Sequence, residues 1–184
     1  RGFLLQWHAL GYPGISDDVV DLLKNWTLRG NVKGDAVKRL DPSEGPLTDN
    51  ELLAFNEGAV AAYEKEWIRL AELSMALLTS HTGRRPRQLV QTKISDLDGE
   101  KLNKKGEPLY LISIPRAKQR GEVFRVSFKT FAMTYELWTI LDAHAKHSVK
   151  AIEEILGYEL QERDRLNLPL FPDLKAVKEI TSVS

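Results

Sequence analysis

The chain has no cysteine and no apolar run long enough to cross a membrane as a helix. The first absence excludes disulfides, thiolate nucleophiles and Cys-ligated metals and, with no signal-peptide pattern, fits a cytoplasmic protein. The second argues against a membrane partner. There is no Gly-rich phosphate loop and no dinucleotide fingerprint, so no nucleotide cofactor or small-molecule substrate is expected. No internal repeat or low-complexity tract is present. The four histidines, His8, His81, His144 and His147, lack nearby carboxylates at metal-ligand spacing, so no metal is expected. His144 and His147, three apart, read as a polar helix end. Net charge is also lacking, with 26 basic residues against 26 acidic ones.

What is there is an ordinary soluble composition, 42% hydrophobic and 28% charged over 184 residues, enough for one domain with a core and a small appendage. Beginning at Arg1 rather than Met, the chain reads as a piece of something longer. Its zero charge hides a strong asymmetry. Between His81 and Thr130 there are twelve basic residues and five acidic ones, a net of +7 balanced by −7 elsewhere. A basic middle third is what a nucleic-acid partner would require.

The element pattern predicts a mainly α protein with a small antiparallel β-sheet, the α+β class. Residues 1–29 hold two short helices, the second with Ser16 at its N-cap and Asp17 and Asp18 in its first turn. A Gly-, Asn- and Pro-rich linker is expected over 30–46, and the main domain over 47–184. Thr48 and Glu51 have capping-box spacing, with Leu47 and Leu52 as a hydrophobic staple, opening a helix over 49–63. A second, mostly buried helix is expected over 64–80, with Trp67 and Leu70 on its apolar face. Gly83 can end it, and Pro86 suits the first turn of another. Asp98-Gly99 and Asn103 to Gly106 mark turns around a short strand. Runs at 109–114 and 123–128 read as a hairpin with a basic loop between them. Helices are expected again at 131–145, at 148–156 with Ser148 as cap, and at 173–180, after an extended Leu168-Pro169-Leu170-Phe171-Pro172 connection. Trp7, Trp26, Trp67 and Trp138 are expected in the core.

The richest stretch in chemical terms is Thr82-Gly83-Arg84-Arg85-Pro86-Arg87-Gln88-Leu89, three arginines around a Gly turn at a helix mouth. Guanidinium groups beside a helix N-terminus suit a phosphate, since the planar fork matches its oxygens and stays charged. Cleaving a phosphodiester without metal needs such a charge, an acid for the leaving oxygen and an in-line nucleophile. Arg85 suits the first role, and Lys118 on the hairpin loop could fill the second. Taken by themselves, the same residues also read as a solvated basic turn and a solubilising loop.

Followed by Ile94-Ser95-Asp96-Leu97, this stretch resembles the first catalytic box of the tyrosine recombinase (phage integrase) family, in which a Thr-Gly-x-Arg turn opens a helix and a Ser-Asp pair closes the box. The ordered surroundings, from Gly45 to Pro172, are similar too. A capped helix after a linker, a buried helix into the box, a three-strand segment with Lys in its last hairpin, and a Leu-Phe-Pro connection follow in the family's order. Residues 1–29 look like the tail of the helical core-binding domain.

The resemblance implies a tyrosine-recombinase-like catalytic-domain fold, incomplete at its C-terminal end. It implies site-specific DNA recombination through a 3′-phosphotyrosine, with double-stranded DNA as partner, self-association on DNA and no cofactor. Arg85 matches the arginine that contacts the scissile phosphate, and Lys118 the lysine that protonates the leaving 5′ oxygen. Arg84, Arg87, Lys93, Arg116, Arg120 and Arg125 are expected as further DNA contacts. Two departures stand out. Gln88 replaces an acidic residue, and the second box, His-x-x-Arg with a later tyrosine, does not occur, so these 184 residues are expected to be inactive alone. Tyr158 precedes the Leu-Phe-Pro connection and is not placed as the nucleophile. The alternative of another class is a non-catalytic DNA-binding protein using the same basic face.

Overall fold

The structure, a computed structural model, describes residues 1–27, 45–116 and 125–182. These contain eight α-helices and one three-stranded antiparallel sheet, an α+β architecture dominated by helix. The chain forms two compact units, Arg1–Leu47 and Thr48–Ser184. Most of the expected linker lies outside the described residues. Among the described residues no helix is long and apolar enough to cross a membrane.

The first unit holds α1 (Gly2–Ala9) and α2 (Asp17–Asn25). Ser16 occupies the N-cap of α2 but makes no capping hydrogen bond; the two aspartates of the first turn are left to favour the helix N-terminus electrostatically. Val20 and Leu23 are buried. Trp7 packs between Phe3 and Tyr12 and donates its indole N–H to the Pro13 carbonyl at 3.1 Å. Trp26, expected in the core, is more than half exposed.

The second unit opens with α3 (Asp49–Glu64), whose Thr48–Glu51 capping box forms in both directions. The staple partner Leu47 is exposed. The helix expected over 64–80 starts late, as α4 (Leu70–Thr82). Glu66 takes a left-handed φ of 59°, which breaks the helical run, and Glu72 accepts a hydrogen bond from the Arg69 backbone N–H at 2.7 Å, which starts the new one. Trp67 therefore lies in the turn, 73% exposed, with the Lys65 ammonium over its ring, rather than in the core.

After α4 come the one-turn α5 (Pro86–Leu89), a 3-10 turn (Ile94–Asp96), β1 (Leu97–Leu102), β2 (Pro108–Pro115) and β3 (Phe128–Met133), paired antiparallel in sequence order. The last strand and helix differ from expectation. β3 runs from Phe128 to Met133 and not over the expected 123–128, of which residues 125–127 lie outside the strand; Phe131 and Met133 alternate inward against Ile112 and Tyr110, and the Thr134 hydroxyl then caps α6 (Tyr135–Leu156). Nor does α6 break before Ser148. Leu137, Leu141, His144, Ala145, Ser148 and Ile152 form one buried stripe at helical spacing, with no Gly or Pro until the left-handed Gly157. Ser148 is thus a buried residue, its hydroxyl donating to the Leu170 carbonyl at 3.4 Å, and not a cap.

The core gathers Leu78 of α4, Leu89 of α5, Ile112 and Ile114 of β2, Leu137 and Leu141 of α6, and Leu170. Trp138 packs at its edge, its indole on Tyr110 at 5.0 Å and over Gly99. The turn expected at Asp98-Gly99 does not form: both residues lie within β1, at a register shift between Asp98 and Lys101, and a Cβ at Gly99 would sit 2.6 Å from the Trp138 ring, so the glycine answers to packing. Gly99→Ala should therefore cost about 1–3 kcal/mol by overpacking, read as a lower urea midpoint at unchanged slope.

The connection after α7 (Glu162–Asn167) pairs with the segment before β1. Leu170 donates to the Thr92 carbonyl at 2.8 Å and Ile94 to that of Leu168 at 3.0 Å, around a Lys93–Pro169 bridge. From there the chain enters α8 (Leu174–Ser182). A cavity of about 670 Å³ lies beside this connection, lined among others by Leu70, His144, Phe171 and Leu174. His144 was expected at a polar helix end. It is instead 3% exposed, packed in a tilted arrangement on Phe171 at 5.0 Å, and neither ring nitrogen has a hydrogen-bond partner among the described residues. Burial, helped by the nearby His147 charge, lowers its pKa to about 4; the Leu170 carbonyl opposes the shift without forming a sound hydrogen bond.

Candidate nucleic-acid interface

The Arg84–Arg87 turn is built by local chemistry. The Thr82 hydroxyl donates to the Leu78 carbonyl at 2.6 Å and accepts the Arg84 backbone N–H at 3.3 Å. Gly83 follows in the left-handed region at φ 60°, a conformation that costs a side chain but not glycine, and its N–H closes α4 on Thr79. Arg85 is then extended at the N-cap, and Pro86 begins α5. Since α5 is a single turn of four residues, little helix dipole is available, and the guanidinium groups must supply the positive field.

The six arginines and lysines expected here that are described take different roles. Arg85 and Arg87 are exposed and have no ion pair or hydrogen bond from their side chains among the described residues. Arg84 lays its guanidinium over the Phe131 ring at 5.2 Å, and its Nε is buried with no acceptor among the described residues. Arg116 is exposed, with its backbone N–H on the Ser127 carbonyl at 2.9 Å. Lys93 reaches across to Asn167 at 3.1 Å. Arg125 turns inward. Its Nη2 bonds both carboxylate oxygens of Asp96, at 2.8 and 3.0 Å, while Nη1 donates to the Gln91 carbonyl and the guanidinium stacks on Phe128. Its charge is paired in place with the Asp96 carboxylate. Lys118 and Arg120 lie outside the described residues.

The hairpin is fastened at both described ends to residues 88–96, which follow the Arg85 turn. At the end of β2, the Pro115 carbonyl accepts from Gln88 Nε2 at 3.4 Å. On the returning strand, Arg125 is held by Gln91 and Asp96. Gln88, standing where an acid was expected, thus uses its amide N–H as a donor that a carboxylate would lack.

Two nearby residues escaped the sequence reading. His81 Nε2 meets the Ala132 carbonyl at 2.7 Å, tying the end of α4 to β3; with the proton on Nε2 the ring is the donor. Lys129 places its ammonium over the same Phe131 ring at 4.9 Å. Strand alternation puts residues 129 and 131 on one face, and that was the available signal. Among the described residues no group of three or more His, Cys, Asp or Glu is placed to hold a metal ion. Compared with known proteins, the chain matches no family model, no curated protein and no solved structure.

Proposed function

We propose that this chain carries the first half of a tyrosine-recombinase catalytic site, and that the intact protein breaks and rejoins double-stranded DNA through a phosphotyrosine. Arg85 binds the scissile phosphate, Lys118 protonates the leaving 5′ oxygen, and the tyrosine comes from outside these 184 residues. The fastening of the hairpin supports the reading most. Both of its described ends are hydrogen-bonded to residues 88–96, the stretch that follows Arg85 in the chain. An exposed guanidinium without a carboxylate partner is what an incoming phosphate needs, because no existing ion pair has to be broken first.

The experiment compares wild type, Arg85→Ala and Lys118→Ala in the full-length protein on nicked or supercoiled DNA. The proposal expects covalent protein–DNA adducts in wild type and their loss in both variants, with DNA affinity within a few-fold of wild type. Variants that lose affinity uniformly and flatten the salt dependence, with no adducts from wild type, would instead identify a non-catalytic DNA-binding protein.

A further inference from the structure

We infer that Arg84, Lys129 and Phe131 form a second phosphate subsite, one that takes a DNA backbone phosphate neighbouring the one at Arg85. The inference rests on the DNA-binding reading and adds Lys129, a residue outside the recombinase-like box.

Three observations point to a missing anion. First, the guanidinium of Arg84 and the ammonium of Lys129 stand over one aromatic ring, at 5.2 and 4.9 Å, so the two charges are at most about 10 Å apart. At that upper bound salt screens much of their repulsion, since the screening length at physiological salt is about 8 Å, and at any closer spacing the two charges repel each other. Second, neither has a carboxylate partner among the described residues; the ring quadrupole offsets only part of a full charge. Third, the Arg84 Nε is out of contact with solvent and has no acceptor among the described residues, an N–H kept dry and unused.

An anion between the two cations answers all three. A phosphate fits better than a base, because two cations already stand over the Phe131 ring and call for an anion. Arg84 and Arg85 are adjacent, yet Arg84 engages Phe131 while Arg85 remains exposed and unpaired. Two phosphates, rather than one shared between both arginines, suit that division. The ring itself is held by the sheet, with Phe131 paired to Ile112 and packed against the core, so the subsite has a rigid base.

The test measures affinity for a short labelled DNA duplex over a series of salt concentrations, with wild type, Lys129→Gln, Arg84→Gln and Lys150→Gln. Lys150 is an exposed lysine on α6 near Glu154, so its substitution removes the same charge away from the subsite. The subsite predicts that Lys129→Gln and Arg84→Gln each lower the salt slope by about one and weaken binding several-fold, while Lys150→Gln leaves the slope unchanged. If wild type binds with a salt slope but Lys129→Gln behaves like Lys150→Gln, the subsite is overturned and the DNA reading stands. A wild-type chain with no salt-dependent affinity overturns both.

Discussion

Asp96→Ala should destabilise the second unit by about 3 kcal/mol, the low end of the range for breaking a buried ion pair. The Asp96 and Arg125 side chains are 9% and 15% exposed, so the guanidinium left behind would be largely desolvated and unpaired. The carboxylate also accepts the Lys93 backbone N–H at 2.7 Å, at the start of the 3-10 turn. Asp96→Asn keeps an oxygen for that N–H but loses the charge, so it should fall between wild type and alanine. Removing both partners, as Asp96→Ala with Arg125→Ala, should recover part of the loss, because no charge remains buried alone. Urea unfolding of wild type, Asp96→Ala, Asp96→Asn, Arg125→Ala and the double variant checks the order. A double variant as unstable as the two singles added together would mean that the pair is not coupled. Because Arg125 adopts a left-handed φ of 63°, some strain is already stored at this residue and is relieved in no member of the series.

His144 should make the fold acid-sensitive. Its native pKa of about 4 lies below the ordinary 6.5, so on acidification the unfolded chain takes up this proton first. The contribution is complete above about pH 6.5, declines as the pH falls towards 4, and is fully lost below that; the shift corresponds to about 3 kcal/mol at most. Between about pH 7 and pH 4.5 the loss should be about 2 kcal/mol. Glu51, Glu72, Asp98 and Glu153, whose pKa values are held low by hydrogen bonds from Thr48, Arg69, Lys101 and Leu160 respectively, titrate in the same direction lower in the acid range. The His144 share is isolated with His144→Phe, which fills the place beside Phe171 with a ring that does not titrate. The stability difference between wild type and this variant should change by about 2 kcal/mol over that interval, always in favour of the variant at low pH. A constant difference would show that the imidazole is hydrated or paired in solution.

The parts of the fold that were legible in the chain are those decided by neighbours in sequence. Thr48 and Glu51 are three residues apart and complete each other's hydrogen bonds, so the start of α3 could be placed to the residue. Gly83 and Pro86 punctuate the Arg turn for reasons of φ and a missing N–H, and both act as expected. Outcomes set by distant partners were not legible. Trp67 has the periodicity of a buried helix position, but the reversal at Glu66 moves it into a turn. His144 resembles a surface residue until Leu170 and Phe171, some 26 positions later, close over it. Arg125 was one more cation in a basic run; only folding brings Asp96 within 2.8 Å and removes it from the free charge. The Arg84–Phe131–Lys129 group depends on a strand meeting a helix end and has no local signature beyond alternation.

The pairing of residues 92–94 with 168–170 has a consequence for how order is lost. It closes a loop of more than seventy residues that includes the whole sheet and α6. The entropy of closing so long a loop rises only slowly with its length, so the few hydrogen bonds at the seam, with Leu170 fully buried beside them, are enough to hold it. When the seam opens, the segment after the arginine turn loses its partner at the same moment as the connection into α8. Sub-global unfolding should therefore release the two as one cooperative unit, while the capped α3, outside the loop, is free to fray independently.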